Sequence, residues 1–499
     1  MPRLRRPLPH LGLHIAGLTL GVAGAGSAAA AAVDAVHSGP DVVPLLAVGV
    51  ALILLGVGLW WLTSVPARIE LIDVFATVAV AWVVMAAAGS LPYLATGTLS
   101  SVGDAVFESV SGFTTTGATV LRPIEGNSKG ILFWRALSQW IGGMGVIVLV
   151  IAVLPTIGSG GMNLLQAEAP GPTGERLTPR VRHTARNLWV VYLGFTIVVG
   201  VAYLLAGMGF YDAIVHSFTT VSTGGFSPYN ASLGHFDSAA IEWIAIVAMF
   251  LAGGSFALWY RAVRGRFGPI VQSIELRLYV VMVLGATTAI AITSESGATG
   301  HDLIRDSAFS VVTILSTTGY GTADFGSWSQ GAQLMLLLLM PLGGMAGSTA
   351  GGVKMIRLLA AASFAHREAL RQLHPRMQRP TRIGSTVLPD VTANKVMGFL
   401  VLALATFGSV AVIIVLTGVD IVTAFSASAT AFGNVGPGLG DIGPTSDFLA
   451  LPAEARAVSL VAMLLGRLEI YPILLALVAV PGNRFVRRYV LRTRNALRL

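Results

Sequence analysis

Four clusters of threonine, serine and glycine recur along the 499-residue chain, and their residue types suit cation coordination better than catalysis. The segment DAVFESVSGFTTTGAT runs from Asp104 to Thr119 and aligns without a gap on DAIVHSFTTVSTGGFS, Asp212 to Ser227. A third copy, DSAFSVVTILSTTGYGT, spans Asp306 to Thr322, and a more divergent fourth, IVTAFSASATAFGNVGPG, spans Ile421 to Gly438. Alignment puts Gly117, Gly225, Gly319 and Gly436 in register at spacings of 108, 94 and 117 residues; Gly433 offers a second register in the fourth copy. Glycine permits backbone angles that turn carbonyl oxygens inward and leaves no side chain in their way. A ring of such oxygens can replace the hydration shell of a cation. Catalytic patterns are missing: there is no HExxH, no acidic dyad at a fixed spacing, no Ser-His-Asp arrangement and no cysteine at all. Enzymatic chemistry is therefore not indicated.

Each cluster follows an apolar stretch about half a membrane span long. A segment that stops midway through a bilayer leaves backbone groups unpaired, which is tolerated only where they face protein or a water-filled path. The half-helix before each cluster would aim its negative C-terminal end at the same path. Composition agrees that a membrane is the solvent. Hydrophobic residues make up 54% of the chain and charged residues 11%, against roughly 25% charged in soluble domains. Spans of about 20 apolar residues are expected near 11–33, 42–63, 72–96, 131–155, 188–208, 239–260, 278–293, 330–362, 396–418 and 456–480. The first follows Arg3, Arg5 and Arg6 and can be read as a retained span or as a signal peptide, although its apolar run exceeds the usual ~7–15 residues of a signal.

Basic residues orient the spans. With the N-terminus inside, 26 lysines and arginines fall on the inner side, including the run from Lys354 to Lys395 and the tail from Arg484 to Arg498. Only Arg122, Lys129 and Arg305 fall outside, with Arg456 at an outer boundary. This asymmetry places both termini in the cytoplasm. It also accounts for the net charge of +8 without a nucleic-acid partner. The expected fold is an all-α polytopic membrane protein of about ten transmembrane helices. Residues 1–68 hold two extra N-terminal helices; 69–160, 161–265, 266–365 and 366–499 hold four pseudo-symmetric helix–pore-loop–helix repeats, the third with a broken second helix and the last with a basic tail.

The motifs resemble the Trk/Ktr/HKT superfamily of potassium transporters, in its bacterial TrkH/TrkG branch. The resemblance rests on VSGFTTTGATVL from Val110, FWRALSQWIGGMGV from Phe133, LLQAE from Leu164 and RLTPRVRHTAR from Arg176. It continues in STTGYGTADF from Ser316, GGMAGSTAGGVKMIR from Gly343, HPR from His374, GPGLG from Gly436 and MLLGRLEI from Met463. The resemblance implies K⁺ uptake across the bacterial plasma membrane through a gated, selective pore. It assigns K⁺ to the backbone oxygens of Thr115, Thr116 and Gly117; Thr223, Gly224 and Gly225; Thr317, Thr318 and Gly319; and Asn434, Val435 and Gly436. Glycine in all four registers is the pattern associated with K⁺, where serine in the first would suggest Na⁺. It further implies a homodimer and a ring of cytoplasmic nucleotide-binding regulatory subunits (TrkA-like, RCK). The basic inner surface suits that ring or anionic lipid equally. K⁺ is the only ligand expected, with no organic cofactor on this chain.

Residues 330–362 are too long for one span, since 33 helical residues would reach about 50 Å. Pro341 and Gly343, Gly344, Gly347, Gly351 and Gly352 interrupt it near its centre. Helix packing through small residues is one reading; the other is a non-helical loop under the filter, including Ser348 and Thr349, which the resemblance treats as an intramembrane gate. GSTAGGVK from Gly347 is a poor P-loop, because its lysine comes one position late and no Ser/Thr follows. Arg467 falls near the centre of the last span, where a guanidinium must face water, the pore or an acid on another helix; the resemblance makes it a barrier below the filter. Asp104, Glu108, Asp212, His216 and Asp306 can concentrate cations at the mouth or simply cap and solvate. Arg135 and Trp140 are expected to anchor a membrane interface. A cation-coupled secondary transporter is the rival reading, since it would also use broken helices.

Overall fold

The computed structural model describes residues 8–66, 71–153, 181–294, 297–377, 379–384 and 386–468, together with 470 and 473. LLQAE from Leu164, Arg176, Arg180 and the basic tail lie outside the described residues, as do Arg3, Arg5, Arg6 and Arg68.

Two long helices, α1 (Leu11–Val36) and α2 (Val42–Leu62), precede the repeats. They pack closely through glycine. A Cβ on Gly24 would lie 2.6 Å from Gly49 O, and one on Gly17 would lie 2.7 Å from Gly56 O. Small residues let helix backbones approach in this way where no hydrophobic force drives association.

The first repeat consists of α3 (Leu71–Ala95), the half-helix α4 (Val102–Phe113) and α5 (Lys129–Val153). The second consists of α6 (Val181–Leu205), the half-helix α7 (Phe210–Val221), α8 (Ala239–Ala252) and the short α9 (Phe256–Val263) and α10 (Gly268–Gln272). In the third, α11 (Ile274–Thr293) is followed by the half-helix α12 (Gly300–Leu315), α13 (Gln330–Leu339) and α14 (Met355–Leu373). The fourth holds α15 (Asp390–Leu416), the half-helix α16 (Ile421–Gly433) and α17 (Ala453–Leu468). In each repeat the half-helix packs between a helix before it and a helix after it.

The half-helices have 12, 12, 16 and 13 residues. At 1.5 Å per residue they span about 18–24 Å, short of the ~30 Å hydrocarbon core. The first and fourth are capped at their starts by a side-chain oxygen. Ser101 Oγ accepts from Asp104 N at 3.4 Å and Asp420 Oδ1 accepts from Thr423 N at 3.0 Å. Hydrogen bonds from the Thr423 hydroxyl and amide hold the Asp420 carboxyl below the usual carboxylate range.

Among the described residues, six helices are long and apolar enough to cross a membrane alone: 11–36, 42–62, 76–95, 186–205, 274–293 and 390–416. The span expected over 239–260 is not one rod. It bends by 103° between α8 and α9, at Gly253, Gly254 and Ser255. The segment expected over 330–362 also breaks: α13 ends at Leu339, helix resumes at Met355, and Leu342 and Val353 form a parallel bridge across the gap.

Candidate cation-coordination site

The four half-helices end alike. Thr115, Thr223, Thr317 and Asn434 follow them with left-handed φ angles of 54°, 53°, 59° and 56°. Each donates its N–H to the carbonyl three residues back, on Gly112, Thr220, Ile314 and Ala431. The next residue donates five back, to Ser111, Thr219, Thr313 and Thr430, at 2.8–2.9 Å. This pair of bonds closes a helix end by turning the chain left-handed. Two residues further on, Gly117, Gly225, Gly319 and Gly436 are left-handed again, at 80°, 76°, 78° and 108°. The geometry repeats on Gly436, whereas Gly433 is the last residue of α16. Non-glycine residues held at positive φ cluster at functional sites and cost about 1–3 kcal/mol each. Here four occupy one structural position.

Neighbouring repeats interlock through the same glycines. A Cβ built on Gly117 would lie 2.2 Å from Gly224 O, and one on Gly225 would lie 2.0 Å from Thr318 O. On Gly319 it would lie 1.8 Å from Val435 O, and on Gly436 2.7 Å from Thr116 O. The order is first to second to third to fourth and back to first, so the four strands close a ring. Asn434 Nδ2 seals the last joint by donating to Thr116 Oγ1 at 2.9 Å. Several hydroxyls turn away into the protein: Thr116 pairs with Thr114 at 2.7 Å, Thr318 with Ser316 at 2.7 Å, and Thr223 donates to Ser222 O at 2.7 Å. The four glycines line a cavity of about 300 Å³ shared by all four repeats.

The opposite side of the ring, at the C-terminal ends of the half-helices, is covered by residues 340–354. Thr349 Oγ1 donates to Val221 O at 3.0 Å, and Gly351 N donates to Thr317 Oγ1 at 2.7 Å. A Cβ on Gly351 would lie 2.6 Å from Gly433 O, and one on Gly343 would lie 1.9 Å from Gly351 O. A Cβ on Gly344 would lie 2.3 Å from Gly253 O. Gly347 and Gly352 take left-handed φ angles of 75° and 62°, and Ser348 Oγ folds back onto Met345 O. Glu275 holds the loop from outside, accepting from Ala346 N at 2.7 Å and Ile356 N at 3.1 Å. Arg467 donates to Thr349 O at 2.7 Å and Gly142 O at 3.3 Å. Among the described residues it forms no ion pair, so the acid partner considered from sequence is not found there; Glu469 lies outside them. The structure thus brings together all twelve expected ring residues on one side and, beneath them, the seven expected loop residues with Arg467 of α17 against them.

Two assignments from sequence are corrected. Arg135 is no interface anchor: it is 1% exposed, donates to Glu108 Oε1 at 2.8 Å and Ser227 O at 3.1 Å, and its guanidinium lies 4.0 Å from the Phe226 ring centroid. Glu108 is equally buried behind the first filter strand, accepting also from Val120 N at 2.9 Å and the Thr119 hydroxyl at 3.0 Å. Trp140 is half-buried, stacking on Phe218 with Nε1 on Thr196 Oγ1 at 3.1 Å. Sequence reasoning also missed Gln139 and Tyr320. Gln139 Nε2 donates to Gly224 O at 2.6 Å, and Tyr320, next to Gly319, meets the Thr220 hydroxyl at 3.1 Å. A polar side chain three or four residues ahead of the GG in α5 was the available signal for Gln139.

Comparison with known proteins agrees with this architecture. A family model described as TrkH, cation transport protein, matches residues 45–488. The Trk system potassium uptake protein TrkH of Halomonas elongata is 40% identical over 406 residues, covering 80% of this chain and 84% of the relative. TrkG of Escherichia coli is 35% identical over 429 residues, covering 84% and 88%. The crystal structure of the potassium transporter TrkH from Vibrio parahaemolyticus superposes with a TM-score of 0.83 at 35% identity, covering 94% of this chain and 98% of that one.

Proposed function

The chain belongs to the TrkH family of cation transport proteins, and from that premise we propose that it is the ion-conducting membrane subunit of a K⁺ uptake system. The observation that carries the reading is the closed ring, in which four left-handed turns present backbone carbonyls at one place. K⁺ sheds its hydration shell against oxygens of Thr115, Thr116 and Gly117 and of their counterparts 223–225, 317–319 and 434–436. The negative ends of four half-helices point at the same place and favour a cation there. The cavity above the glycines is the outer vestibule, and residues 340–354 are the gate beneath. The chain works as a multi-pass protein of the bacterial plasma membrane with cytoplasmic termini. It assembles as a homodimer and docks nucleotide-binding regulatory subunits on its basic inner face.

The test is ⁸⁶Rb⁺ uptake into liposomes holding purified protein, with K⁺ and Na⁺ as competitors. K⁺ should block uptake and Na⁺ should not. A Gly117→Ser variant should lose roughly tenfold or more in K⁺ preference, because its Cβ displaces the Gly224 carbonyl in addition to carrying ~1–2 kcal/mol of left-handed strain. Equal block by Na⁺, or no uptake with regulatory subunits present, would overturn the reading in favour of a cation-coupled secondary transporter.

A further inference from the structure

Three of the four filter strands carry a side chain just before the filter glycine: Thr116, Thr318 and Val435. The second carries Gly224. A Cβ on Gly224 would lie 2.4 Å from both Cδ and Oε1 of Gln139, so the room for a side chain is taken by an amide from the preceding repeat. Gln139 is fully buried. Its Nε2 donates to Gly224 O at 2.6 Å and its Oε1 accepts from Phe226 N at 3.0 Å. One amide therefore grips the second strand on both sides of Gly225.

The chain contains its own comparison. Gly143 and Gly253 approach Ser222 and Ser316, the residues that end the next repeat's half-helix; Gly142 and Gly466 approach Phe113 O and Phe432 O. These registers make Met249 and Met463 the counterparts of Gln139. Where the helix carries Met249, the next strand has Thr318; where it carries Met463, the next has Thr116. Glutamine and glycine occur together at the one remaining helical joint, between α5 and the second strand. Among the described residues, no side-chain amide donates to Thr116 O, Thr318 O or Val435 O.

We infer that Gln139 is a specificity-determining positioning residue: it completes the second filter strand in place of a side chain at Gly224 and engages that strand's carbonyl. An oxygen that already accepts an N–H has one lone pair occupied, sets the positive N–H end against the cation and is held at a fixed angle. The ring is then four-fold in backbone but three-plus-one in coordination. This rests on the K⁺ reading of the ring.

Rb⁺ uptake with K⁺ and Na⁺ competition, alongside thermal unfolding, tests the inference in Gln139→Met, Gln139→Glu, Gly224→Thr and the Gln139→Met/Gly224→Thr pair. Gln139→Met and Gln139→Glu each remove the donor to Gly224 O. Both should lower K⁺ preference over Na⁺ roughly two- to tenfold, the scale of one hydrogen bond. Gln139→Met, which also leaves Phe226 N without its acceptor, should lower the unfolding midpoint as well, whereas Gln139→Glu keeps an oxygen for that amide. Gly224→Thr alone should lose uptake. The pair recreates the Met249–Thr318 arrangement and should regain uptake. An unchanged competition profile in the Gln139 variants, or a pair no better than Gly224→Thr, overturns the inference. A wild-type protein without K⁺ preference would instead overturn the pore reading itself.

Discussion

A carbonyl oxygen selects an ion only if its position is held against the ion's pull, and in this protein buried side chains outside the four filter strands do the holding. Glu108 and Arg135 are the clearest case. Their ion pair sits behind the first strand with side-chain exposures of 0% and 2%, and the same carboxylate fixes Val120 N. Removing one partner of a buried pair strands the other charge, at a cost of about 3–5 kcal/mol. Glu108→Gln is therefore expected to lower the thermal unfolding midpoint sharply in detergent. Glu108→Gln/Arg135→Gln should recover part of that loss, because no lone guanidinium remains. Equal loss in the single and double variants would show that the pair acts through shape and not charge.

At the scale of elements, function follows from helices that stop. Each half-helix ends where its carbonyls would otherwise be orphaned, and a left-handed turn redirects the backbone. The break between α13 and α14 has the same logic, since an irregular backbone survives at this depth only when protein or water satisfies it. Gly343 N donates to Val353 O at 2.9 Å, Val353 N to Pro341 O at 2.9 Å and Met345 N to Gly253 O at 2.8 Å. Arg467 completes the set by binding Thr349 O and, from the fourth repeat, touching α5 of the first. On the proposed gate, this guanidinium both pins the loop and repels the cation. Two like charges ~6 Å apart repel by about 3 kcal/mol at an effective dielectric near 20. Arg467→Ala should accordingly raise Rb⁺ flux by roughly tenfold or more without regulatory subunits. Unchanged flux would leave the arginine a packing role only.

On the scale of the whole molecule, the repeats hand over to one another in a cycle. α5 packs on α7, α8 on α12 and α17 on α4. The third joint, where α13 is too short to continue, is made by Met340 O and Gly351 against Gly433. The extra pair α1 and α2 stands outside this cycle and is tied to it by Asp34. That fully buried carboxylate accepts from Asp41 N at 2.8 Å, at the start of α2, and from Gly130 N at 2.9 Å, in the first turn of α5. Asp34→Asn turns an N–H donor toward one of these amides and should cost about 1–3 kcal/mol of stability. Because the anchor is remote from the ring, K⁺ preference should be unchanged; a shift in the competition profile would show that the extra helices shape the filter.

Much of this was legible in consecutive residues. The alternation of apolar spans and four Thr/Ser/Gly clusters fixes the number and order of repeats, because hydropathy and glycine are local properties. The break inside 330–362 was legible for the same reason, from Pro341 and the glycines after it. Only the tertiary structure decided what stands against what. Gln139 meets Gly224 across 85 residues, Asn434 meets Thr116 across 318 and Arg467 meets Gly142 across 325, and no local pattern encodes such pairs. The bend at Gly253 and the burial of Arg135 were missed on similar grounds. A glycine or an arginine in an apolar run is compatible with a straight lipid-facing helix, and only the neighbours, which make room for one and neutralise the other, decide otherwise.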